Sequence, residues 1–86
     1  MSPNMAAKLL TLLTLAEVLR KIRDLAGLGL AHSDMREFLN CFPDAHPDLL
    51  KLLNQAEVWR QKKTFEDEEV ARCHADMRAL LEGCVN

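Results

Sequence analysis

The chain has 86 residues, 49% of them hydrophobic, no tyrosine, and a formal net charge of −2 from 11 basic and 13 acidic side chains. This length makes one small domain, residues 1–86, with a thin core, because a chain of this size buries only about 60–65% of its unfolded surface. Few valines and isoleucines leave little material for a sheet, which predicts an all-α fold, and the lack of a basic excess argues against binding by phosphate neutralisation.

The first helix is expected from Met5 to Leu25. Leu9, Leu12, Leu13, Ala16 and Leu19 form its stripe, and Leu15, Val18 and Ile22 widen it. Gly27 and Gly29 read as a C-cap and turn, with Leu28 and Leu30 folding back as plugs on the core. Ser33 then suits the N-cap of a short second helix that buries Met35, Phe38, Leu39 and Phe42 and ends at Pro43. Pro47 fits the first position of a third helix lined by Leu49, Leu52, Leu53, Ala56 and Trp59. Thr64 reads as the cap of the fourth, with Asp67 as its reciprocal capping partner. Val70, Cys73, Met77, Leu80 and Cys84 mark its seam, and Gly83 its end.

Two segments recur in order. Residues 9–20 and 49–60 share eight of twelve positions at an offset of 40, and residues 32–39 and 74–81 share five of eight at an offset of 42. The expectation is a small bundle of about four helices made of two similar hairpins, unit 1 at about 5–42 and unit 2 at about 47–84. The stretch Phe38-Leu39-Asn40-Cys41-Phe42-Pro43 resembles the end of the second helix of a tetratricopeptide repeat. The resemblance covers that helix end alone, since the signature Trp-x2-Leu-Gly-x2-Tyr is absent.

His32 with Cys41, echoed by His74 with Cys84, raises the possibility of zinc, which takes four N or S ligands. The long spacings within each pair and the seam position of Cys73 and Cys84 argue against it, so no metal or cofactor is expected. A helix-end hydrogen bond or a partner contact is the expected role of the histidines. Adjacent Cys73 and His74 point about 100° apart on a helix and cannot form a dyad, and no phosphate loop, GxSxG or HExxH is present, so no enzyme is expected. Glu17 and Glu57 each precede an arginine, Arg20 and Arg60, by three residues, which predicts two solvated i,i+3 pairs on the outer faces. The two LxxLL strings, residues 9–13 and 49–53, read as core.

Three cysteines without a CxxC pair favour a reducing, cytoplasmic setting. The apolar run after Lys8 is too short for a membrane span and has no cleavage site after it. The expected function is a non-enzymatic protein–protein interaction module of adaptor, chaperone or anti-activator type. It would bind a protein partner or a second copy through an apolar helix face that includes Leu10, Leu15, Val18, Ile22 and Trp59. The alternative, a helix–turn–helix DNA-binding regulator, requires a basic recognition helix that this sequence does not show, which argues against nucleic acid.

Overall fold

The computed structural model of the chain describes residues 1–85. Ser2 and Pro3 start α1 (Pro3–Lys21): the Met5 N–H donates to Ser2 Oγ at 3.3 Å, and proline suits the first helical position. α1 ends without a glycine. Arg23 takes the left-handed backbone conformation, φ 60°, that reverses the chain. Asp24 caps α2 (Leu25–Asn40), its Oδ1 accepting from the Gly27 N–H at 2.9 Å.

Gly27 and Gly29 therefore lie inside α2 rather than ending α1. The cap and the buried face of α2 outweigh the roughly 1 kcal/mol that each glycine costs in a helix. Ser33, expected as an N-cap, sits exposed in mid-helix; Leu28 is buried as expected, whereas Leu30 points outward. Pro47 opens α3 (Pro47–Arg60) as expected. α4 (Asp67–Val85) begins three residues beyond Thr64, so Thr64 is not its cap, and the helix runs through Gly83.

The four helices close into a ring in which α1 and α3 each lie between α2 and α4, with α2 against α3 the thinnest seam. No strand occurs among the described residues, and no helix there is long and apolar enough to cross a membrane. The core repeats itself. Leu9, Leu13 and Ala16 on α1 reappear as Leu49, Leu53 and Ala56 on α3. Leu28, Met35 and Leu39 on α2 reappear as Val70, Met77 and Leu81 on α4.

Residues 9–20 match 49–60 in burial at every position, and 28–39 match 70–81. Each fully buried leucine contributes about 2 kcal/mol. The outer leucines of each LxxLL string are buried and the inner ones half-buried against the core, which bears out the core reading of both. Leu81 is buried in the fourth-helix seam, and Leu80 and Cys84 pack at its edge.

Candidate functional site

The repeat places two histidines face to face. His32 on α2 and His74 on α4 stand one turn before Met35 and Met77 on the buried faces, and both rings are shielded from solvent. Their Nε2 atoms lie 2.8 Å apart with the rings at 76°. His32 Nδ1 is 2.7 Å from Glu57 Oε2 on α3. A carboxylate only accepts, so His32 carries its proton on Nδ1 and its Nε2 is an acceptor. His74 therefore donates from Nε2, and its Nδ1 holds a bare lone pair with no protein partner.

Burial keeps both rings neutral. It pushes the His32 pKa down against the pull of the Glu57 hydrogen bond. It pushes His74 further, to about 4, helped by the neighbouring His32 ring. Burial works to raise the Glu57 pKa, but hydrogen bonds from Arg60 and His32 outweigh it and hold the carboxyl below its ordinary value. The Glu57–His32 pair resembles the carboxylate–imidazole dyad of a general base, yet its free nitrogen is aimed into the core at His74. Histidines expected at helix ends thus sit in mid-helix. Their equivalent repeat positions, each three residues before a buried methionine, were the signal that could have placed them.

The two expected i,i+3 ion pairs come out differently. Arg60 donates from Nε to Glu57 Oε2 at 2.6 Å and from Nη2 to Oε1 at 3.0 Å, half-buried beside the histidines rather than on an outer face. Glu17 instead accepts from Arg78 Nε at 3.1 Å and Nη2 at 2.5 Å, and Arg20 Nη1 reaches Asp67 at 2.9 and 3.0 Å. The Glu17–Arg20 pair is thereby corrected.

Three unequal positions explain the difference. Asp67 offers Arg20 a carboxylate where unit 1 has Leu25, and Thr14 holds Arg78 at 2.8 Å where unit 2 has Asn54. Gly29 lets Arg60 lie across α2, with Cζ 2.9 Å from where a Cβ would be, whereas Ala71 carries that Cβ.

Three of the five expected partner-contact residues form one outward stripe on α1. Leu15 and Val18 are each 48% exposed and Ile22 is 66% exposed. Leu10 and Trp59 do not join it: both are half-buried and pack against the core, with Lys62 Nζ 5.3 Å from the Trp59 ring. Sequence reasoning missed Leu30, 70% exposed on α2, and Val58, 57% exposed on α3.

Val58 is the unit 2 equivalent of Val18, but the equivalents of the other exposed apolar residues are polar. Gln55, Lys62 and Arg72 occupy the exposed positions that Leu15, Ile22 and Leu30 occupy in unit 1. Between α3 and α4 runs a surface groove of about 560 Å3, lined by Asp48, Lys51, Leu52, Gln55, Asp76 and Leu80. Its charges are of both signs. Among the described residues no group of three or more His, Cys, Asp or Glu side chains is placed to hold a metal ion. No protein-family model, curated protein or solved structure matches the chain.

Proposed function

We propose that this chain is a non-enzymatic interaction module that binds a protein partner, or a second copy of itself, through the outer face of its first hairpin. The observation that carries this reading is the unequal chemistry of equal positions. At three exposed places where unit 2 has Gln55, Lys62 and Arg72, unit 1 has Leu15, Ile22 and Leu30. The fold tolerates polar side chains there, so packing does not require the leucines and isoleucine. A contiguous exposed apolar patch on a water-facing helix is characteristic of a surface that is covered in use.

The DNA-binding alternative finds no comparable support. Arg20, Arg60, Arg72 and Arg78 each pair with a carboxylate, so these four are not free to hold phosphate. The free cysteines, Cys41 among them exposed, suit a reducing cytoplasmic setting.

Light scattering and an environment-sensitive dye provide the test. At micromolar concentration the wild type should either self-associate or bind the dye, and the Leu15→Asp/Ile22→Asp double variant should do neither while keeping its helical circular dichroism. A wild type that is monomeric and dye-silent would overturn the proposal.

A further inference from the structure

The two halves of the molecule use equivalent side chains in different arrangements. In one half, Glu57 Oε2 accepts from both His32 Nδ1 and Arg60 Nε. The equivalents of those two nitrogens in the other half are His74 Nδ1 and Arg20 Nε. Among the described residues these are the two buried side-chain atoms that lack a hydrogen-bond partner. The carboxylate that would join them, Glu17, is the equivalent of Glu57 and acts electrostatically on His74 from α1, but it is turned to Arg78.

Proton bookkeeping explains why it is turned away. With both rings neutral, His74 Nδ1 offers a lone pair, and a carboxylate brought to it would set acceptor against acceptor. If the pair gains one proton from solvent, that proton sits on Nδ1, which becomes a donor in need of an acceptor. No covalent bond between heavy atoms changes; one N–H forms and hydrogen bonds are exchanged.

We infer that Glu17 is a two-position carboxylate set by the proton occupancy of the buried histidine pair. It is held by Arg78 when the pair is neutral, and it turns inward to bridge His74 Nδ1 and Arg20 Nε, as Glu57 bridges His32 and Arg60, when the pair is protonated. Arg20 need not leave Asp67 for this, because that ion pair uses Nη1 and leaves Nε available.

The charged groups facing the pair are Glu17 and Arg20 from α1, Arg36 from α2, Glu57 and Arg60 from α3, and Asp67 from α4. Of these, Glu17 is the acidic group whose present partner is an arginine, Arg78, that takes no part in the histidine network. Turning inward would free Arg78 from its carboxylate on the α1/α4 seam, leaving it the contact with Thr14, one helical turn from Val18 in the exposed stripe.

The test is a titration of the intact chain from neutral pH down to about pH 3, about one unit below the folded-state His74 value of about 4, following histidine ring and arginine Nε signals by nitrogen-15 NMR. The expected result is one folded-state step in which His74 Nδ1 becomes protonated, the Arg20 Nε–H gains a hydrogen bond and the Arg78 Nε–H loses one. In Glu17→Gln the histidine step should move about one pH unit lower, a tenfold weaker proton affinity, and the arginine signals should not follow it. Protonation of the pair with both arginine signals unmoved would overturn the inference. So would unfolding with no protonated folded species, and neither result depends on the variant folding.

Discussion

Gly29 and Ala71 occupy equivalent positions on α2 and α4, and one methyl group between them redirects an arginine. A Cβ at Gly29 would stand 2.9 Å from Arg60 Cζ, closer than real carbons approach, but the atom it meets is the end of a flexible side chain. Gly29→Ala is therefore expected to move the guanidinium off α2 and weaken its fork to Glu57, rather than break the helix. Alanine gains about 1 kcal/mol of helix propensity, which offsets the lost contacts, so the net stability change should stay within about 1 kcal/mol of zero. Urea denaturation checks the magnitude, and the Arg60 Nε–H signal checks the movement. A loss above about 2 kcal/mol would mean overpacking with no room for the guanidinium. At this scale the sequence was legible in part. Leu15, Val18 and Ile22 were readable as surplus apolar residues because they lie outside the buried stripe of α1. The histidine pair was missed although the repeat at an offset of 42 aligns its two members, because a repeat shows which positions are equivalent and not that they meet across the core.

The elements were readable where hydrophobic period decides and misread where a cap decides. α3 starts at Pro47 as proline preference predicts, and the buried faces of α1 and α3 follow the leucine spacing. The turn between α1 and α2 was misplaced, because two glycines suggest a break while the break is made by Arg23, a residue type that rarely takes positive φ. Neighbouring residues there should respond with opposite signs. Asp24→Ala removes the acceptor of the Gly27 N–H and is expected to cost about 1 kcal/mol. Arg23→Gly relieves a left-handed backbone worth about 1 kcal/mol, partly offset by the greater freedom of glycine in the unfolded chain, for a net gain of about 0.5 kcal/mol. The Arg23 guanidinium lies 6.0 Å from the Phe65 ring, the outer limit of a cation–π contact, so little is lost with it. Thermal unfolding of the two variants tests this: the melting temperature should fall in the first and rise slightly in the second. A fall in Arg23→Gly would show that the arginine side chain holds the turn more than its backbone strains it.

For the whole molecule, the buried histidine pair links stability to pH. The rings are held neutral in the fold, with His74 titrating near pH 4, while an unfolded histidine titrates near 6.5. Below about pH 6.5 the unfolded chain binds more protons than the folded one, so stability is complete above that pH and is lost as pH falls toward 4. The His74 shift alone corresponds to about 3 kcal/mol over that interval, against a total of roughly 4–13 kcal/mol for a chain of this length. Glu17 and Glu57 have lowered pKa values, and their contribution is lost only below the ordinary carboxylate value of 4.5, so the two effects separate along the pH axis. Equilibrium urea unfolding at pH 7 and pH 5 should show a loss of about 2 kcal/mol in the wild type, before the carboxylates titrate. The His32→Leu/His74→Leu double variant replaces both members of the pair with apolar groups and leaves Glu57 its bonds from Arg60, so it should fold with nearly equal stability at the two pH values. A wild type as stable at pH 5 as at pH 7 would mean that the folded and unfolded chains take up equal numbers of protons over that interval, so that the fold does not hold the rings neutral. Glu17 would then be expected to turn to His74 already between pH 7 and pH 5, and the neutral pair would lose its place as the electrostatic cause of the asymmetry between the two hairpins.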